Sequence, residues 1–343
     1  MDFNSIIVND SGIQIAYTDS GAPSASPYIT IVAIHGLCFS SPIFKRVQAA
    51  APKKGARFVA TNRRNYPGST PFSEAEINVL INGTKEQKDA FNQDRGHEIA
   101  MFIHKLIIKE SIPPITADGK SGGVSVLGWS LGTGYADATI AYADTLPSDV
   151  RLHLSKYIRS LTIQEPHEAT FGTMPELPFY TPLIDTHIPE TDRYAMFAHW
   201  ISCYFRHGDI TTKDPKVLSR TVPASVRPSS LCNMSMDEQK ETIYSGAEPA
   251  YEFPYMINFL EQFGDTYHKS FFGDGTRALF PNFRVSFIIG EFSPAFGISS
   301  YWKVEKDAKE AGKPVNLKII PNGNHFGHWD DPEETMDVYL ECA

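Results

Sequence analysis

Along the first third of the chain, apolar residues come in short runs separated by turn-forming residues. Ser5 to Val8 and Ile13 to Tyr17 alternate and meet across Asp10-Ser11-Gly12, which predicts two short strands and a tight turn. Tyr28 to Ile34 is a nearly continuous β-branched run, the pattern of a strand buried on both faces of a parallel sheet. A short strand is expected at Arg57 to Thr61. Phe91, Ile99, Phe102, Ile103, Leu106 and Ile107 then recur at helical spacing within Gln87 to Glu110. Val124 to Leu127 reads as a strand, the Ala-rich Leu131 to Leu146 as a helix, and Ile158 to Ile163 as a strand. The alternation predicts an α/β fold, with right-handed βαβ units around a mostly parallel central sheet flanked by helices.

The rhythm breaks from Pro166 to about Gly275, a stretch rich in Pro, aromatic and polar residues. It resumes with strands at Arg284 to Ile289 and Val315 to Ile320 and helices at Ser299 to Ala311 and Pro332 to Leu340. A block of roughly 110 residues between two strands is too long for a plain loop. We expect an inserted, mainly helical lid at 166–275 over a core formed by 1–165 and 276–343. Its aromatic and Met residues include Phe171, Met174, Phe179, Phe197, Trp200, Phe253 and Met256. Most must form lid core, and a minority are expected to face down into an apolar pocket.

Composition narrows the partners. The 343 residues carry a net charge of -9, which argues against nucleic acid and anionic membrane. No basic run precedes an apolar segment at the start, and no stretch is long and apolar enough to span a bilayer, so a cytoplasmic setting is expected. Cys38, Cys203, Cys232 and Cys342 are scattered without CxxC spacing, which predicts reduced thiols. The eleven histidines form no HxxxH or HExxH pair, and no phosphate loop or GxGxxG opens a helix. Neither a metal nor another cofactor is expected.

The strongest chemical signal is Gly128-Trp129-Ser130-Leu131-Gly132. A strand runs into this G-x-S-x-G and a helix leaves it, so the chain must turn sharply and the glycines make room. The turn exposes the Ser130 hydroxyl at a sheet edge beside a helix N-terminus, where a developing anion is favoured. Ser130 is the expected nucleophile.

Several motifs together resemble the α/β-hydrolase superfamily. They are His35-Gly36 after the third strand, Asn62 to Thr70 after the fourth, the Ser130 pentapeptide, and Gly323-Asn324-His325 after the last strand. The Arg-containing loop and LGWSLG are also similar to a group of fungal α/β-hydrolase-like proteins. The resemblance implies that His325 is the base, because an acidic residue, Asp330, stands five positions on and Pro332 seven on. His328 is out of step by three. The resemblance also implies that the N–H groups of Leu37 and Leu131 form the oxyanion hole. Cys38 and Trp129, beside these residues, are expected to line the substrate pocket.

The third member is ambiguous. The family's usual acid position follows the seventh strand, and there the chain has Ser293, which supplies no anion. Glu165, at the end of the sixth strand, is preferred, since zearalenone-type lactonases place their acid after that strand. Glu291 is the alternative. Epoxide hydrolases and haloalkane dehalogenases of this fold use Asp at the elbow, where this chain has Ser130. The resemblance thus implies a serine hydrolase, an esterase or lactonase acting on a moderately apolar small molecule. A lyase or cyclising enzyme with the same Ser/His site, and a ligand-binding receptor on the same fold, are the alternatives.

Overall fold

The computed structural model describes residues 3–174, 180–244 and 251–343. Phe179 lies outside them. Eight strands form one sheet: β1 (Asn4–Ile7), β2 (Gln14–Asp19), β3 (Ile29–Ile34), β4 (Ala56–Asn62), β5 (Val124–Trp129), β6 (Ile158–Gln164), β7 (Arg284–Gly290) and β8 (Asn316–Ile320). Their order is β1-β2-β4-β3-β5-β6-β7-β8. Only β2 runs against the rest, pairing antiparallel with β1 and β4, and the other pairs are parallel. The expected α/β architecture is therefore the one the chain forms. β4, β5 and β6 are buried along their whole length, their polar residues included, as strands covered on both faces are.

This order puts β3 beside β5 while the chain winds outward in both directions from that pair. The resulting crevice at the carboxyl ends of the strands is where open α/β sheets bind ligands. Leu37 follows β3 and Ser130 follows β5, so both stand at that crevice.

Two helices hold the β5 end in place. Lys85–Glu110 starts at a capping box, in which the Thr84 hydroxyl accepts the Gln87 N–H and the Gln87 side chain accepts the Thr84 N–H. It packs closely on Gly132–Ala141. A Cβ at Gly96 would lie 2.4 Å from the Ala138 carbonyl oxygen, so only glycine permits the approach. Leu260–Phe272 also packs on Gly132–Ala141, joined to it by the Ser270 hydroxyl donating to Asp137 Oδ1 at 3.0 Å.

Between β6 and β7, the described residues form helices and 3-10 turns, among them Arg193–Ile201, Met236–Thr242 and Glu252–Asn258. Leu260–Phe272 falls within the expected insertion yet packs on the core. One β-bridge, Phe39 with Ile243, ties this stretch to the loop after β3. No helix among the described residues is long and apolar enough to cross a membrane.

Candidate active site

Ser130 sits at φ 54°, in the left-handed region that non-glycine residues rarely adopt. Its neighbours explain why the turn forms here. A Cβ at Gly132 would lie 2.2 Å from the Ile34 carbonyl oxygen, and one at Gly128 would lie 2.8 Å from Thr133 Cα. The Ser130 N–H donates to Gln164 O at 2.9 Å, which pins the turn to the end of β6. From β3, Gly36 lies against the serine side chain: a Cβ there would be 2.7 Å from Ser130 Cβ.

Glu165, one residue past β6, also has a positive φ, 55°. Its N–H donates to Ile288 O at 2.9 Å, and its buried carboxylate is fully directed. Oε1 accepts the Gly290 N–H and the Ser293 hydroxyl, both at 2.5 Å. Oε2 lies 3.3 Å from His325 Nδ1. Ser293, which stands where the resemblance expects an acid, thus donates to the Glu165 carboxylate. Glu291 is exposed and its carboxylate accepts the Asn322 N–H at 3.0 Å, away from His325.

His325 is buried on the loop after β8. Its carbonyl accepts the Trp129 indole N–H at 3.0 Å, and its ring packs edge-on to Phe296, centroids 5.7 Å apart. Among the described residues its ring makes one hydrogen bond, to Glu165. No hydrogen bond among the described residues joins the His325 ring to the Ser130 hydroxyl. His328 is fully buried, with its ring centroid 4.7 Å from that of Trp129 and 4.8 Å from that of Phe44. Neither of its ring nitrogens has a hydrogen-bond partner among the described residues. Burial, reinforced by His325, holds its pKa well below the ordinary value, so it is a neutral packing residue.

Ser130, Leu37 and Leu131 share one apolar cavity with Leu183, Phe197, Trp200, Ile201, Phe253, Met256 and Phe296. His167 and Thr181 add polar groups. No hydrogen bond among the described residues uses the N–H of Leu37 or of Leu131. Cys38 and Trp129 do not line this cavity, contrary to the expectation. Cys38 is fully buried behind it, where burial and the nearby Glu252 push the thiol up to about 12, which makes it a poor nucleophile. The Trp129 ring packs among Phe39, Phe44 and Phe326 and serves to hold His325.

His167 is a cavity residue that the sequence reading missed. Its Nδ1 accepts the Ala169 N–H at 3.1 Å, so the neutral ring carries its proton on Nε2. Burial and the neighbouring His325 push it down to about 4. Its one signal in the sequence is its position two residues past Glu165.

No family model matches the sequence, and no curated protein is similar enough to count as a relative. Solved structures are similar over nearly the whole chain. An esterase from Thermogutta terrifontis shares 14% identity at a TM-score of 0.53, covering 99% of this chain and 97% of its own. A bromoperoxidase from Bacillus anthracis shares 15% at 0.50, covering 99% and 100%. The thioesterase domain of the curacin biosynthetic pathway shares 13% at 0.50, again covering 99% and 100%. At these identities the likeness is one of fold, and the fold is that of the α/β-hydrolases.

Proposed function

We propose that the chain is a serine hydrolase that cleaves an ester or lactone of a moderately apolar small molecule through an acyl-enzyme. Ser130 Oγ attacks the carbonyl carbon as His325 Nε2 takes the hydroxyl proton. The oxyanion is held by the N–H groups of Leu37 and Leu131. His325 returns the proton to the departing alcohol, and water, activated by the same imidazole, releases the acid. Glu165 keeps the proton of neutral His325 on Nδ1 and stabilises the imidazolium.

The observation that carries this reading is the Glu165 carboxylate, fixed by Gly290 and Ser293 on one oxygen and facing His325 Nδ1 with the other. A carboxylate so held selects the tautomer in which Nε2 is a base. The apolar lining around Ser130 supports a substrate with an apolar acyl or alcohol part. The four cysteines are free thiols, which supports a reducing, cytosolic setting.

The test is turnover of short p-nitrophenyl esters and aromatic lactones by the intact protein and by Ser130→Ala. Hydrolysis lost in the variant is expected. Equal rates in the two proteins would remove the proposal. Tight binding without turnover would instead favour a receptor, and turnover without an acyl-enzyme a lyase.

A further inference from the structure

The loop that carries Leu37 is held from behind by a buried charged cluster that the mechanism above does not use. Arg63 follows β4, and its guanidinium is 1% exposed. It pairs with Glu252, which the segment between β6 and β7 sends into the same interior. Tyr66 completes the group, its hydroxyl donating to Glu252 Oε2 at 2.6 Å.

The contacts of this cluster fall on the two peptide groups that flank Leu37. The Gly36 carbonyl accepts Arg63 Nη2 at 2.9 Å and His35 Nδ1 at 2.9 Å. His35 is held for this by the Arg63 backbone N–H, which donates to its Nε2 at 3.1 Å and so leaves the proton on Nδ1. The Leu37–Cys38 peptide is pinned by its N–H, which lies 3.1 Å from the Tyr66 hydroxyl and 3.3 Å from Glu252 Oε2. Cys38 itself sits at φ 72°.

A trans peptide is planar, and its C=O and N–H point in opposite directions. The Gly36 carbonyl and the Leu37 N–H belong to one peptide. Two donors on the carbonyl, one of them a cation, therefore aim the Leu37 N–H away from the cluster, and Leu37 itself lines the cavity it shares with Ser130. Charge on the carbonyl oxygen also polarises the N–H, because hydrogen bonds along one amide strengthen each other. The ion pair is needed for this: a lone buried guanidinium would not remain there.

We propose that Arg63, Tyr66 and Glu252 are positioning residues that orient and polarise the Leu37 N–H as an oxyanion donor. The inference rests on the hydrolase reading given above. It makes Glu252 a contribution of the β6–β7 segment to catalysis that does not touch substrate. The same segment grips the loop a second time, where the Ser40 N–H donates to Thr242 O at 2.8 Å and the Tyr244 N–H to Cys38 O at 2.9 Å.

The experiment measures, on the full chain, the rate at which a fluorophosphonate labels Ser130, together with kcat and KM for p-nitrophenyl butyrate and the melting temperature. The proteins are wild type, Ser130→Ala, Glu252→Gln, Tyr66→Phe and the double variant Arg63→Gln/Glu252→Gln. Wild-type labelling that Ser130→Ala abolishes is the premise. Without it the hydrolase reading fails and takes the clamp with it. With it, labelling and kcat are expected to fall roughly 10- to 100-fold in Glu252→Gln and in the double variant, part of what loss of a whole oxyanion donor costs, with KM changed less than about threefold. Tyr66→Phe, which removes one hydroxyl, is expected to lose less. The double variant has no unpaired buried charge and should melt higher than Glu252→Gln while remaining slow, so that the rate loss does not follow stability. Should Glu252→Gln fail to fold, the double variant and Tyr66→Phe carry the test. Wild-type labelling rates in both of those, as folded proteins, would overturn the clamp while leaving the hydrolase reading intact.

Discussion

Replacing Glu165 by Gln tests the acid with almost no change of shape. The surroundings dictate how the new amide must sit. Two donors, the Gly290 N–H and the Ser293 hydroxyl, converge on the Oε1 position, so the amide oxygen has to stay there. The NH2 group is then forced to the Oε2 position, 3.3 Å from His325 Nδ1. A donor at that place requires Nδ1 to accept, which moves the imidazole proton to Nε2. His325 then presents N–H to Ser130 instead of a lone pair, and the imidazolium loses its counter-charge. Loss of the acid from a triad in this way costs on the order of 10²–10⁴ in kcat, or about 3–5 kcal/mol in the barrier. Fold and KM should change little. The assay is steady-state hydrolysis of p-nitrophenyl butyrate with circular dichroism as the folding control. A Glu165→Gln enzyme within about threefold of wild type would refute the tautomer argument.

Other expectations follow from the same geometry. Glu291→Gln should keep activity within about threefold, since its carboxylate only caps the exposed Asn322 N–H; a larger loss than Glu165→Gln in the same assay would move the acid to β7. Ser293→Ala removes one of the two donors on Oε1 and should lower kcat roughly 3- to 30-fold without abolishing it, as read from kcat at fixed KM. Gly36→Ala would set a Cβ 2.7 Å from Ser130 Cβ and displace the nucleophile, so a loss on the order of 10² is expected, with wild-type kinetics the contrary result. His35, His167 and His328 are buried with pKa values held below the ordinary 6.5, mainly by burial. The unfolded chain therefore takes up protons that the folded chain refuses. Stability is full above the unfolded value and is lost as pH falls toward the folded values, at roughly 1 kcal/mol per histidine per pH unit. Melting temperature should fall between about pH 7 and about pH 5, and His328→Phe should flatten that slope while keeping activity.

The strands of this protein were legible because each gathers apolar residues into a short segment bounded by turn-forming residues, and β3, β5, β6 and β7 lie within a residue or two of their expected ends. The helix Glu74–Asn82 was not read, although Ser73 and Glu76 form the capping box that announces it. Helix Ala295–Ala311 starts four residues before the expected Ser299, directly after Pro294. Local chain geometry singles out Ser130, whereas His325 and the preference for Glu165 over Glu291 rest on the family resemblance. Sequence alone shows no contact for either carboxylate, because that turns on strand register. Gln164 stands opposite Ile288, which sets Ser293 and the Gly290 N–H around the Glu165 carboxylate. The cavity lining was the least legible part. Phe197, Trp200, Phe253 and Met256 were among the expected aromatic and Met residues, but Leu183, Ile201 and Phe296 follow no periodicity that points inward. Trp129 was misread for a related reason: at the end of β5 its side chain points into packed core, whereas Ser130 faces the cavity.

If Ser130 is the nucleophile and His325 its base, turnover passes through a covalent acyl-enzyme on Ser130. Intact-protein mass spectrometry during turnover of a p-nitrophenyl ester, quenched in acid within the first turnovers, tests it most directly. The expected result is an added acyl mass that maps to Ser130, appears with a burst of p-nitrophenol, and is absent from Ser130→Ala and from His325→Ala. Turnover with no acyl mass at Ser130, or an acyl mass that persists in Ser130→Ala, would show that Ser130 is not the nucleophile.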